Sequence, residues 1–261
     1  MKAVILAGGF GSRLSEETII KPKPMVEIGT KPIIWHIMKL YSFFGYNDFI
    51  ICTGYKSNYI KSYFNDYMIT HNDVTFDFKK NIKIFHNKKT EPWKVTVVDT
   101  GLNTDTGGRI KRIKNFLDND EDFFMTYGDG LANINIKQLL KNHIKSKKIA
   151  TVTAVLPKAR YGTLNFDLKG NLKSFKEKPQ GEVGWVNGGF FVLNKEIFKY
   201  IKGDKTVFEN DPLNNLTKKK QLNVYFHEKF WQSMDTLRDK KYLNQLLENN
   251  KADWQVWKKK Y

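Results

Sequence analysis

From Leu6 to Leu14 the chain reads LAGGFGSRL, directly after the apolar opening MKAVI. Glycines that follow a strand let backbone N–H groups approach an anion closely. Gly8, Gly9 and Gly11 are therefore a candidate phosphate cradle, with Arg13 as the counter-charge. The spacing fits neither common template. Counted from Gly9, the dinucleotide fingerprint needs a glycine at position 14, which is Leu14 here, and no Gly-Lys-Ser/Thr completes a P-loop. A plain strand-to-helix turn with a solvated Arg13 is the alternative. KPKPM (21–25) follows, and its two prolines hold Lys23 in an extended frame that presents one lysine rigidly. An ordinary loop has the same composition.

The elements needed to position these residues can be read from hydrophobic patterning. MKAVILAGGF is read as a first strand, since its apolar stretch is short and runs into glycine rather than a cleavage site. PIIWHIMKLYSFFG has helical spacing and stops at Gly45; DFIICTGY reads as a buried strand; SNYIKSYFNDYM is helical with Ser57 as its N-cap. KIFHNK, VTVVDTG and DFFMTYGDG read as strands, with the helix GGRIKRIKNFLDN before the last. The helix NIKQLLKNHIKS and the strand IATVTAVL come next. This alternation predicts an α/β, Rossmann-like fold, a mainly parallel sheet with helices on both faces. Ligands in such sheets gather beyond the carboxyl ends of the strands, where LAGG, CTGY, DTGL and TYGDGL fall. Residues 131–261 turn β-rich: YGTLNFDLKGNLKSFKEKP reads as a hairpin about Gly170-Asn171, and GWVNGGFFVLN as a strand before a helix near Lys195–Ile201. MDTLRDKKYLNQLLENN is a terminal amphipathic helix. No repeat or low-complexity linker divides the 261 residues, so a single domain is expected.

The formal charge of +17 raises the possibility of a nucleic-acid partner. Yet only five of the 44 basic residues are arginine, and the lysines are spread along the chain. Bidentate phosphate and base recognition leans on arginine, so a phosphate-rich small substrate is the better reading and no nucleic acid is expected. No apolar run is long enough for a membrane span. The single Cys52, in FIIC, has no intrachain partner and fits a cytoplasmic protein. The five histidines are scattered without metal-ligand spacing and are read as structural.

LAGGFGSRL followed by KPKPM resembles the opening of the sugar-1-phosphate nucleotidylyltransferases, and the resemblance covers nearly the whole chain. TYGDG (126–130), EKP (177–179), VNGGFFVLN (186–194) and FWQSMDTLRDK (230–240) occur in that family's order. KPMVEIGTKPIIWHIM, EPWKVTVVDTG and TGGRIKR are similar to its cytidylyl branch. The resemblance implies CTP and glucose 1-phosphate as substrates and Mg²⁺ as cofactor. It also implies a nucleotide-binding part over roughly 1–130, a sugar-binding and oligomerisation part over 131–261, and a homo-oligomer, a hexamer in the cytidylyl branch. Trp254 and Trp257 would then pack on a neighbouring subunit or on the chain's own surface.

Nucleotidyl transfer brings a sugar phosphate oxygen onto the α-phosphorus of a nucleoside triphosphate while pyrophosphate leaves. Several negative charges share a small volume, so cations, a metal and alignment carry the chemistry. The second pKa of a phosphate monoester, about 6, leaves the nucleophile mostly dianionic, so no general base is demanded. The resemblance assigns Leu6, Ala7, Gly8, Gly9, Phe10, Gly11, Ser12 and Gly128 to the nucleotide, and Arg13 and Lys23 to its phosphates. It assigns Thr104, Gly108 and Arg109 to the base and ribose. Lys178 falls on the sugar phosphate, and Tyr127, Glu177, Asn187 and the backbone near Gly162 on the sugar; a solvated hairpin lysine is the alternative for Lys178. The metal falls to Asp129 and Asp235. Asp129, flanked by glycines at a strand end, has little packing to do. Asp235 also stands where an N-cap belongs, and with Arg238 three residues on no capping box is expected there.

Overall fold

The structure is a computed structural model that describes residues 1–87, 89–118, 120–157, 163–166, 172–176 and 184–258. Its frame is a seven-stranded sheet whose strands we number β1 (Ala3–Leu6), β2 (Asp48–Thr53), β3 (Lys94–Asp99), β4 (Asp122–Tyr127), β5 (Ala150–Val155), β6 (Val186–Asn194) and β7 (Leu222–His227). They lie in the order β7-β5-β6-β4-β1-β2-β3. All run parallel except β6, which pairs antiparallel with both β4 and β5.

Alternation along the strands divides the core between the two faces of the sheet. Ala3, Ile5, Phe49, Ile51 and Phe124 point to one side, beneath α1 (Ile33–Phe43) and α6 (Leu237–Glu248). Val4, Leu6, Ile50, Cys52, Phe123 and Met125 point to the other, against α3 (Thr106–Arg112) and α5 (Asp211–Lys218). Burial on both faces explains why these strands read as continuous apolar runs. Further helices are α2 (Ser57–Asn65) and α4 (Ile136–Ser146), with single helical turns at Ser15–Thr18 and Tyr67–His71. Among the described residues no helix is long and apolar enough to cross a membrane.

Some local expectations change. The N-cap of α2 is Lys56, in the left-handed region at φ 50°, while the Ser57 hydroxyl bonds that of Thr53 at 2.7 Å. The run after β6 is 3-10 helix over Lys195–Tyr200. Strands Thr163–Phe166 and Leu172–Lys176 pair antiparallel, as the hairpin reading required, but the Gly170-Asn171 turn lies outside the described residues. Lys23 does not sit in an extended segment: it opens a single 3-10 turn, Lys23–Met25, closed by Met25 N–H donating to Pro22 O at 2.8 Å. Pro24 fits there because the first turn of a helix needs no amide proton from it. Trp254 is only 1 % exposed, buried on the chain's own α1 face, and Trp257 meets the Trp35 ring at 5.9 Å.

Candidate active site

Two cavities open at the carboxyl ends of the parallel strands. The larger, about 620 Å³, lies beyond β1, β3 and β4; the smaller, about 200 Å³, adjoins it between β4, β6 and the segment leading to α6. They share Arg13, Tyr127 and Asp129 as common walls. The crevice forms where β1 has β2 on one side and β4 on the other, a switch point in strand order.

Leu6 to Arg13 form one wall of the larger cavity. Beyond β1 the loop turns at Gly11, whose φ of +67° favours glycine and whose added Cβ would meet Thr18 Cγ2 at 2.8 Å. Leu14 N–H then donates to Gly11 O at 2.9 Å, closing a 3-10 turn over Ser12–Leu14. The N–H groups of Gly9, Phe10, Gly11 and Ser12 donate to no protein acceptor among the described residues. Successive amides of this kind are the ingredients of an anion nest.

Opposite stand Thr104, Asp105, Thr106 and Arg109, with Lys205 at the rim, its Nζ donating to Asn103 O at 3.0 Å. Arg109 touches the cavity but spends its guanidinium on the protein. Nη1 donates to Thr53 O, Thr100 Oγ1 and Gly101 O at 3.0, 2.8 and 2.8 Å, and Nη2 to Gly8 O and Leu102 O at 3.0 and 3.3 Å. It thereby ties together the ends of β1, β2 and β3. Burial, the largest influence, pulls its pKa below the ordinary arginine value. Gly108 is the exception among the expected nucleotide residues, because it does not line the cavity. It is buried in α3 against Asp204, whose carbonyl oxygen an added Cβ would meet at 2.4 Å. CTGY likewise stays behind the wall: Gly54 packs on Gly8 and Arg109.

The two cavities meet at an ionic cluster. Lys23 Nζ donates to Asp129 Oδ2 at 2.5 Å and to Asp235 Oδ1 at 2.8 Å, and Arg13 Nη2 lies 3.1 Å from the same Asp235 oxygen. Burial opposes the charge on Lys23, but Asp129 and Asp235 more than offset it and hold the ammonium above the ordinary lysine value. Burial likewise disfavours the Asp235 carboxylate, yet Lys23 and Arg13 keep its pKa below the usual range. Two carboxylates bound to one ammonium lie close enough to share a cation. Their oxygen donors suit a hard divalent ion that keeps several waters, so the residues present fit a magnesium-type metal.

Asp235 can point inward because it does not cap α6. The N-cap is Thr236 rather than Asp235, and where no capping box was expected from Asp235 and Arg238, one is present a residue later. Thr236 Oγ1 accepts from Asp239 N–H at 3.3 Å, and Asp239 Oδ2 accepts from Thr236 N–H at 2.9 Å. Asp239, one position beyond Arg238, takes the place that glutamate usually holds in such a box.

Tyr127 and Asn187 face the smaller cavity together with Gly188, Trp231 and Ser233. Trp231, which carried no signal beyond its place in FWQSMDT, donates from Nε1 to Gly188 O at 2.8 Å. Burial, reinforced by Glu209, pushes the Tyr127 phenol well above the ordinary tyrosine value. Gly162, Glu177 and Lys178 lie outside the described residues.

The model of the nucleotidyl transferase family matches residues 2–254. A glucose-1-phosphate cytidylyltransferase of Salmonella typhi is 52 % identical, covering 98 % of this chain and 100 % of its own. A D-glycero-alpha-D-manno-heptose 1-phosphate guanylyltransferase of Campylobacter jejuni is 32 % identical over 88 % of this chain and 93 % of its own. Among solved structures, HddC from Yersinia pseudotuberculosis complexed with GMP-PN superposes with a TM-score of 0.68. It covers 94 % of this chain and 99 % of that one at 24 % identity, which shows the shared fold. The chain belongs to the nucleotidyl transferase family, as a full-length relative of the glucose-1-phosphate cytidylyltransferases.

Proposed function

We infer that the protein transfers CMP from CTP to α-D-glucose 1-phosphate, giving CDP-glucose and pyrophosphate. The observation that carries this reading is the cluster of Lys23, Asp129, Asp235 and Arg13 at the junction of the two cavities. One cavity suits a triphosphate held by the open amides of 9–12, the other a sugar phosphate, and reacting groups drawn from each would meet at the junction. A sugar phosphate oxygen forms the new bond to the α-phosphorus as the bond to the pyrophosphate oxygen breaks. Arg13 and Lys23 offset charge gathering on the phosphates, and the loop amides hold the triphosphate still. Asp129 and Asp235 would hold Mg²⁺, which supplies charge neutralisation on phosphate oxygens.

The choice of CTP and glucose 1-phosphate is supported by the full-length relative at 52 % identity. Leu102, Asn103 and Thr104 offer backbone and hydroxyl groups to a base edge. Lys178 is proposed on the sugar phosphate, with Glu177 and the Gly162 backbone on the sugar. A homo-oligomer is proposed on a separate ground. The hairpin of Val74–Asp77 and Ile82–Phe85 turns Phe76, Ile82, Ile84 and Phe85 outward, and Phe78 at its tip is 90 % exposed.

The deciding experiment is pyrophosphate release with glucose 1-phosphate and Mg²⁺, offering one nucleoside triphosphate at a time. Release with CTP alone is expected. Preference for UTP, dTTP or GTP would keep the reaction and overturn the base; no release with any of them would overturn the reaction.

A further inference from the structure

Glu209 lies outside both cavities and outside every motif in the sequence, yet its carboxylate joins their walls. Oε1 accepts the phenolic hydrogen of Tyr127, and Oε2 accepts the hydroxyl hydrogen of Thr106 at 2.6 Å. Thr106 opens α3 and lines the larger cavity, whereas Tyr127 ends β4 and lines both. The chain of bonds continues outward at each end. Thr106 Oγ1 accepts from Phe208 N–H at 2.8 Å, and Tyr127 Oη accepts from Asn187 Nδ2–H at 3.3 Å. Asn187 Oδ1 accepts in turn from Gly189 N–H at 2.8 Å.

Every hydrogen in this chain points towards Glu209. A carboxylate only accepts, so it fixes the direction of each bond leading to it. Tyr127 has one hydrogen and has spent it, so towards the smaller cavity its oxygen can only accept. Asn187 commits one amide N–H to Tyr127 and anchors its carbonyl oxygen on Gly189 N–H, which leaves its second N–H to donate. An acceptor and a donor thus stand side by side on the wall.

We propose that Glu209 is a positioning residue that sets this polarity, so that Tyr127 and Asn187 together receive a sugar hydroxyl, the group that both donates and accepts. A phosphate oxygen carries no hydrogen and would meet only lone pairs at Tyr127, so the phosphate end belongs towards Arg13, which borders the same cavity. The inference rests on reading the smaller cavity as the sugar end of the reaction.

The test is steady-state kinetics with CTP and glucose 1-phosphate varied in turn, on the wild type, Glu209→Gln, Glu209→Ala, Tyr127→Phe and the Tyr127→Phe/Glu209→Ala double variant. Glu209→Ala is expected to raise KM for glucose 1-phosphate about tenfold or more and KM for CTP by a clearly smaller factor, since Thr106 keeps its bond from Phe208 N–H. Glu209→Gln keeps the shape and one acceptor but must reverse one bond, so its sugar KM should fall between wild type and Glu209→Ala. If Glu209→Ala does not fold, this isostere carries the test. The double variant should be no worse than Tyr127→Phe alone, because both remove the same oriented acceptor. Additive losses, equal rises in both KM values, or an unmoved sugar KM in a folded variant would overturn the assignment. A wild type that turns over no sugar phosphate would overturn the reading beneath it, and this inference with it.

Discussion

Arg109 shows how one side chain can join the loops that build a site. Only 5 % exposed, it satisfies carbonyls from three loops at once. The fork geometry of a guanidinium makes that possible; an ammonium has three donors radiating from one point. Gly8 accompanies it, since a Cβ there would fall 2.0 Å from Arg109 Nη1. Arg109→Lys is expected to lower stability by about 3 kcal/mol, because several buried carbonyls lose their donors while the charge stays buried. Urea denaturation would check this, and a loss below about 1 kcal/mol would mean that the loops hold without the fork. The resemblance gave Arg109 to the base and ribose, and nothing in the sequence around TGGRIKR announces a residue whose acceptors lie in segments near residues 8, 53 and 101.

At the scale of elements, the start of α6 separates two roles that lie next to each other in SMDT. Thr236 and Asp239 close the helix, which leaves Asp235 free to reach Lys23. Thr236→Ala should therefore cost about 1 kcal/mol of stability and leave kcat within about twofold. Asp235→Asn should do the reverse, lowering kcat by about a hundredfold or more with an intact helix. Thermal melts and initial rates on both variants make the comparison. Matching losses in both measurements for both variants would mean that cap and site are one unit. The capping box stands in the sequence as T-x-x-D, with aspartate where glutamate is the more familiar partner, which is why SMDTLR alone points to Asp235 as the cap.

For the whole molecule, the terminal segment is tied to the first large helix through His36. His36 Nε2–H donates to Ile28 O at 3.0 Å and Nδ1 accepts from Trp254 Nε1–H at 3.3 Å, which fixes the neutral ring. Burial drives its pKa down from 6.5 to about 4. A proton on Nδ1 would face the indole N–H and break the tie. The unfolded chain binds a proton near pH 6.5 and the folded one near 4, so between those values the unfolded state holds more protons and stability falls as pH falls. The loss over that window is on the order of 3 kcal/mol. Melting temperatures at pH 7.5, 6, 5 and 4.5 should trace it. His36→Gln, whose amide can donate to Ile28 and accept from Trp254, should flatten the slope; an unchanged slope would place the proton uptake elsewhere.

The sequence by itself determined what depends on neighbours along the chain. Apolar periodicity set the order of strands and helices, glycines after β1 and β4 set the turns, and LAGGFGSRL, KPKPM and TYGDG marked the residues that gather at the strand ends. It also supplied the family, since those motifs recur in a fixed order. Tertiary structure alone decided how groups far apart in number meet. It brought Lys23 against both Asp129 and Asp235, turned Arg109 to the backbone, set Gly108 into a helix contact and placed Glu209 beneath Tyr127. Hydrophobic pattern and turn chemistry are local signals, whereas the direction of a side-chain hydrogen bond depends on partners a hundred residues away that no spacing rule encodes.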